Sequence, residues 1–491
     1  MGNIKQKLSN IVEAVIDLRD DFKEALEAKG VSNPGDNIAE YPAIIANLPD
    51  GGGEVDWMRN RVRFLDFDGT VLKEQYVEDG QAATPPADPA HPELGLTFSR
   101  WGAVAADLAA VYSNLDVVAL YNGSFAAMFK IKAAAGDTVT LPIVGVVLGS
   151  VDDTVAIEVV WGSGDPDLQA GYPSKTFDEA FEGWVTCSLP NAGAYVLDDN
   201  LSSGQVDSHI EEAIIGGAWV NDTGLNPVEL QHVNIKAFMA CDNAGVLYPA
   251  GAFTLTPGSH IAGPLKRLIV PNQTSISISD CDLDFLSAPE ATAFSVSTCA
   301  VPVIYLPAAV DLPLGAYAYV FVETLALPRC TSLGFGSHWD GIRQIWVGAA
   351  GPNAISLPAA WESILKARIG VAGDTLSFPF NNTVYLKKLS VGYGQLSEDG
   401  DAVFPYSFSG MLTELNIIVP DGGKINFGTQ ENVYLTSNKL QDMAFWASFF
   451  ELIHLPANTL LTVHVNAMVY AIMPDDVKAI ATAKGISVSG S

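Results

Sequence analysis

A row of apolar residues recurs through the second half of this chain, in units too small to bury that row alone. Aligned on Leu-x-x-Leu-x-Val-Pro, it runs Leu265/Leu268/Val270/Pro271, Leu283/Leu286/Ala288/Pro289, Val301/Ile304/Leu306/Pro307 and Val322/Leu325/Leu327/Pro328. It continues as Ile342/Ile345/Val347, Leu386/Leu389/Val391, Leu412/Leu415/Ile417 and Phe450/Ile453/Leu455/Pro456. The steps are 18, 18, 21, 20, 44, 26 and 38 residues, and the long ones leave room for degenerate units near Ile369 and Leu435. Strands stacked ~4.8 Å apart supply the missing face. Proline suits the corner after each strand, where no ladder donor is needed. The pattern therefore predicts a stacked-strand solenoid over residues 263–470. Pro474 to Ala481 reads as a helix within a cap at 471–491, which shields the last core layer.

The rest of the chain predicts a modular, mainly β protein with a helical start. Ile4, Leu8, Ile11, Val15, Leu18, Phe22 and Ala25 alternate steps of four and three, the seam of a coiled coil. Gly30 is a good stop for that helix, and Ile38 to Leu48 follows as a second short one. Residues 1–48 read as an attachment or oligomerisation segment, or as a helical hairpin packed on itself; 49–57 is a glycine-rich hinge. Residues 58–127 read as strand, strand, helix, strand, a small β-grasp-like domain whose first turn holds Asp66, Asp68 and Gly69. Its helix is expected over Ala103 to Tyr112. Strands at Phe129, Thr138, Ala156 and Ala194 suggest a β-sandwich over 128–200. Residues 201–262 form a mixed connecting segment, with a short helix near Asp207 to Ile214.

Several segments resemble known families. Phe64 to Leu72, with Asp66-Phe67-Asp68-Gly69-Thr70, resembles the first motif of haloacid-dehalogenase-like phosphatases. That likeness implies Asp66 as nucleophile and Asp68 as general acid. A longer stretch, Val62 to Tyr121, resembles the internalin B-repeat type of domain. Asp66-Phe67-Asp68-Gly69-Thr70, Thr97-Phe98-Ser99-Arg100-Trp101 and Ala119-Leu120-Tyr121 carry it, with Arg100 where glycine is usual. On that reading Asp66 and Asp68 are turn residues. Val160 to Asp165, followed by Asn191 to Val196, resembles the immunoglobulin-type PKD module, with Val160 and Ser163 in place of its two aspartates. The repeat array is similar to BspA-like leucine-rich repeats. In such repeats Cys281 and Cys299, each ten residues past a unit proline, fall at small buried positions.

Composition narrows the chemistry. Asp and Glu outnumber Lys and Arg by 56 to 26, a net charge of -30, which repels phosphate backbones and anionic lipids. Five scattered cysteines without a C-x-x-C pattern argue against a disulfide framework or a zinc knuckle. No nucleophile elbow, P-loop, zinc-protease helix or dinucleotide fingerprint occurs, so neither catalytic residue, cofactor nor metal is expected. Ser337-His338-Trp339-Asp340 reads as a rim loop, and His454 and His464 face solvent or a neighbouring strand. Trp339, Trp346, Trp361 and Tyr393 are candidates for a recognition surface. Phe378, Tyr385, Trp446 and Phe449 add aromatics to the longest excursions.

The combination of modules suggests surface adhesion. An exported adhesin needs a signal, whereas a virion protein released by lysis does not. Ala25 to Val31 and Ile38 to Ile45 also look like segments of phage tail and fibre proteins. The expectation is a non-enzymatic phage fibre or receptor-binding protein on the virion surface. Ile4, Leu8, Ile11, Val15, Leu18 and Phe22 would oligomerise it or join it to a virion structural protein, and the solenoid would meet a host surface protein or glycan. A bacterial cell-surface leucine-rich-repeat adhesin is the alternative, and the phosphatase the second.

Overall fold

Val62 and Phe64 alternate with Arg61 and Arg63, giving strand β1 (Asn60–Leu65) a buried face and a half-exposed one. The computed structural model describes residues 59–490 except 124, 148–149, 189–193, 198–208, 216–234, 240–251, 256–265, 280–281, 314–319, 335–338, 341, 351–354, 357–363, 372–387, 394–400, 404–406, 409–411, 420–422, 428–430 and 456–458. The heptad seam and the hinge lie outside the described residues. Residues 60–491 form one compact unit.

A hairpin joins β1 to β2 (Val71–Val77), with Asn60 opposite Val77 and a bulge between Phe64 and Leu65. Gly69, at φ +91, makes the turn, where the backbone is closed by Asp66 N–H to the Thr70 carbonyl. Strand β3 (Thr97–Trp101) and helix α1 (Ala105–Ala109) lead to β4 (Leu115–Asn122), which lies parallel to β1. The sheet order is β2-β1-β4-β3. Thr97 to Trp101 is thus one strand more than the sequence pattern predicts. The helix is shorter than expected because Val111 leaves it to bridge Gln81.

The second module builds on β5 (Ala127–Ala133), β6 (Ile157–Trp161), β7 (Asp167–Gln169) and β8 (Phe181–Ser188). Phe129, Ile131, Val139, Leu141, Ile157, Val159, Phe177 and Val185 fill its core. Strand β8 runs antiparallel to β5 from Phe181 opposite Ala133 to Cys187 opposite Ala127. Gly183 inside β8 masks its strand character in the sequence. The expected helix near Asp207 to Ile214 is instead strand β9 (Ile210–Ile215). Three isoleucines favour the extended backbone, and the free edge of β5 supplies a partner.

Strand β9 joins the modules. It pairs antiparallel with β5 and parallel with β10 (Ile235–Met239), and the sheet continues through β11 (Arg267–Ile269) to β12 (Phe285–Ser287). The order β7-β6-β8-β5-β9-β10-β11-β12 makes one sheet of a β-rich module and the first parallel strands of the repeat region. A second parallel ladder takes over with β13 (Val303–Tyr305), β14 (Thr324–Leu327), β15 (Gln344–Ala350), β16 (Lys366–Val371), β17 (Lys388–Tyr393) and β18 (Glu414–Ile418).

The register follows the repeat alignment. Leu268 stands opposite Leu286, Ile304 opposite Leu325, Leu325 opposite Ile345, and Leu389 opposite Leu415. The 44-residue step contains β16, where Ala367 stands between Ile345 and Leu389. Between these strands the chain adds shorter parallel ladders, such as Asp311–Pro313 with Ser332–Gly334 and Cys299–Ala300 with Val320–Phe321. Cys299 is buried at that level; Cys281 lies outside the described residues.

The last aligned unit is not a strand. Helix α2 (Met443–Leu452), capped by the Asp442 side chain on the Ala444 N–H, occupies it, and only Ile453 bridges Ile425. On either side of it in the chain, β19 (Asn432–Leu435) before and β20 (Leu461–Val465) and β21 (Ile486–Gly490) after stack in parallel. The short helix α3 (Ala467–Ile472) and α4 (Asp475–Ala483) connect the last two strands in the chain, α4 at the residues read as a capping helix.

Candidate functional site

Strand alternation predicts that residues between the core positions of the parallel ladder face water. On β14 to β17 they do not: Thr324, Gln344, Lys366 and Lys388 are buried, as is the aromatic Trp346. The β1–β4 sheet covers them. Val62, Phe64, Leu115 and Val117 pack with Tyr305, Ala326 and Trp346 in one cluster. Leu65, Phe67 and Leu120 share another with Phe285, Ile269 and Met239. The first module therefore has no core separate from the ladder.

Polar clamps fix this contact. Asp107 accepts from the Tyr305 hydroxyl at 2.7 Å and from Arg329 Nη1 at 2.9 Å. The Asn114 backbone N–H donates to Gln344 Oε1 at 2.8 Å. Asp79, just after β2, takes both ladder lysines, Lys366 and, at 3.0 Å, Lys388. Lys366 Nζ also donates to Asn60 Oδ1 at 2.6 Å, and Lys388 pairs with Glu414 at 2.9 Å. Burial holds the Lys366 ammonium below the usual lysine range despite Asp79. For Lys388 the same burial effect is outweighed by Asp79 and Glu414, and its pKa is raised. Arg267 reaches the turn from the other side, donating to the Asp68 carbonyl at 2.6 Å and pairing with Glu212.

Asp66 is at the centre of the first module's only carboxylate–histidine–tyrosine group among the described residues. It is 4% exposed. Its Oδ1 accepts from the Tyr121 hydroxyl at 2.5 Å and from the Phe67 N–H at 2.7 Å, while Oδ2 meets His91 Nε2 at 2.8 Å. Phe67 packs edge-on against His91 and Tyr121. Asp68 caps the turn, its Oδ1 accepting from the Thr70 N–H at 2.9 Å. Both aspartates thus hold the hairpin, and Asp66 also pins the loop that follows residue 91. Burial, then the Asp66 carboxylate, pushes the Tyr121 pKa up from its ordinary 10.0.

A raised tyrosine pKa stabilises the fold below pH 10, and that contribution is lost as pH climbs through the folded value, because the unfolded chain releases the proton first. Between pH 10 and pH 11 the thermal midpoint should therefore fall more steeply in the parent than in Tyr121→Phe. Equal slopes in a pH series of melting curves would remove Tyr121 from this role.

The predicted recognition residues have separate fates. Trp346 is 6% exposed and edge-on to Tyr112 at 5.4 Å, so it is a docking residue of the first module and not a surface anchor. Trp446 and Phe449 are fully buried on α2, where they pack with Phe450. Degenerate units need bulky residues to fill their layers, which accounts for the aromatics in that excursion. Trp339 and Tyr393 lie on strands, at 339–340 and in β17. Trp361, Phe378 and Tyr385 fall outside the described residues, as do Ser337 and His338. His464 stacks on Tyr434 of the neighbouring strand at 4.6 Å. The ladder face that the first module covers carried no sequence signal, because Gln344, Lys366 and Lys388 are ordinary polar residues at outward strand positions.

Among the described residues no group of three or more His, Cys, Asp or Glu is placed to hold a metal ion, and no helix is long and apolar enough to cross a membrane. Compared with protein-family models, with curated proteins and with solved structures, the chain finds no match.

Proposed function

We propose that this chain is a non-enzymatic binding protein of the phage fibre or receptor-binding kind, a rigid scaffold that displays loops to a host surface. The observation that carries the reading is the cross-bracing of the ladder by the first module, through Asp79, Asp107, Tyr305 and Trp346. A scaffold of this kind fixes loop positions, and recognition is commonly placed on loops held by a rigid framework. The internalin B-repeat, PKD and BspA-like resemblances of residues 62–121, 160–196 and the repeat array agree with it. Residues 1–30 would supply attachment or oligomerisation through Ile4, Leu8, Ile11, Val15, Leu18 and Phe22. Immunogold labelling of lysates from the producing host tests the proposal. Signal on particles is expected; signal confined to cell envelopes would give the place to a bacterial surface adhesin.

The phosphatase reading needs Asp66 free to attack phosphorus. Both Asp66 oxygens are engaged, and the motif is the turn of an antiparallel hairpin. The parent protein with magnesium should leave p-nitrophenyl phosphate intact, and Asp66→Asn should change only stability. Magnesium-dependent hydrolysis by the parent that disappears in Asp66→Asn would restore the enzyme.

A further inference from the structure

Lys366 meets a side-chain amide as well as a carboxylate. The ladder register sets Gln344, Lys366, Lys388 and Glu414 in one row across β15 to β18. The first residue of β1 lies against that row, and Lys366 Nζ donates to Asn60 Oδ1 at 2.6 Å. A C=O bond is about 1.23 Å long, so Nζ lies at most about 3.8 Å from Asn60 Cγ. Reacting atoms poised for attack stand about 3–3.5 Å apart, a separation that a small side-chain shift reaches.

Asp79 touches both partners. Its Oδ1 accepts from Lys366 Nζ and, at 2.9 Å, from Asn60 Nδ2. Nδ2 also donates to the Val111 carbonyl at 3.2 Å. Two acceptors at Nδ2 and a donor at Oδ1 fix which way the amide faces. Lys388, 3.0 Å from Asp79 Oδ2, holds the carboxylate from its other side. One carboxylate oxygen therefore stands between the amine nitrogen and the nitrogen of the amide.

The surroundings favour a reaction between them. Asn60 is fully buried and Lys366 is 1% exposed, which keeps water from competing for the amide carbon. Burial lowers the Lys366 pKa, and the neighbouring Lys388 ammonium acts in the same direction. An amine attacks through its lone pair, and desolvation of a lysine makes that pair available. Lys388 is the contrast. It pairs with two carboxylates, Asp79 and Glu414, and holds its proton more firmly than an ordinary lysine.

We propose that Lys366 and Asn60 join through a side-chain isopeptide bond, with Asp79 carrying the protons. Asp79 takes one proton from the Lys366 ammonium, and Nζ bonds to Asn60 Cγ while Oδ1 takes up the π electron pair. Asp79 then gives its proton to Nδ2 and receives a second one from Nζ. The C=O bond re-forms, the Cγ–Nδ2 bond breaks, and ammonia leaves and collects the remaining proton from Asp79. A lysine ammonium and a primary amide become a secondary amide and an ammonium ion, with no oxidant or co-reactant. The two residues are 306 apart in the chain. A covalent bridge across so long a loop strongly restricts the unfolded chain, and this one would make the contact of the first module with the ladder permanent. Such a bond is independent of what the chain displays. Once linked, Lys366 carries no charge, so urea unfolding of ion-pair variants is read on the unlinked chain, which its mass identifies.

Intact-mass and peptide mass spectrometry of the full-length protein, incubated folded and then denatured, test the proposal. The parent should weigh one ammonia less than its sequence requires. Trypsin should release Asn60-Arg61 joined to the Gln344–Arg368 peptide, uncut at Lys366. Lys366→Arg and Asp79→Ala should each keep the full mass of their sequences and give no joined peptide. A parent of full mass with no joined peptide would overturn the proposal, whether or not the variants fold. Loss of ammonia without the joined peptide would do the same, since a cyclic imide at another asparagine also releases ammonia. The joined peptide in equal yield from Asp79→Ala would overturn the proton-carrying role of Asp79.

Discussion

Asp79→Asn should destabilise the protein by about 3–5 kcal/mol, the usual cost of removing one partner from a buried ion pair. The carboxylate holds two ammonium groups whose side chains are 2% and 7% exposed. Without it, Lys366 keeps only Asn60, while Lys388 keeps Glu414. Lys366 is the more sensitive of the two because burial already disfavours its charge. The effect should reverse in part when the pair is removed together. Asp79→Leu with Lys366→Met leaves no orphaned charge there and should recover most of the loss. Urea unfolding of the single and double variants measures both values. A loss below about 1 kcal/mol would make the pair an ordinary surface contact.

Trp346→Ala should cost about 3–5 kcal/mol, as large aromatic truncations in cores do. A recognition anchor behaves otherwise, because its loss weakens binding and leaves stability almost untouched. The two roles are therefore separable in one variant. The indole fills the space between Tyr112, Phe64 and the ladder, next to the Arg368 guanidinium over the Tyr112 ring at 4.7 Å. The cavity left by alanine lies between the first module and β15. Unchanged melting with lost host binding would return Trp346 to the surface.

The parallel ladder strands were legible because their signal is local and repeated. Leu268, Leu286, Ile304, Leu325 and Ile345 mark the strands by themselves, and even the degenerate unit at Ile369 showed as a gap of the right length. The turn at Asp66 to Thr70 was legible for the same reason, since Gly69 and the alternating strand are neighbours in sequence. What failed to show is long-range. Asp79 and Lys366 are 287 residues apart, and Asp107 and Tyr305 are 198 apart. No periodicity links such pairs. Outward positions on β14 to β17 therefore read as solvent-facing, and Trp346 as an exposed aromatic. Helix α2 failed differently: Phe450, Ile453 and Leu455 match the repeat letters, but Met443-Ala444-Phe445-Trp446-Ala447 has good helix formers behind an Asp442 cap.

The central claim is that the first module and the ladder are one cooperative body. Hydrogen exchange read segment by segment in the parent and in Asp79→Asn tests it most directly. The account predicts that β4 and the ladder strands β15 to β17 lose protection together in the variant, since they share clamps and a core. Loss of protection confined to residues 60–122, with β15 to β17 as slow as in the parent, would contradict it and make the first module a separately folded attachment.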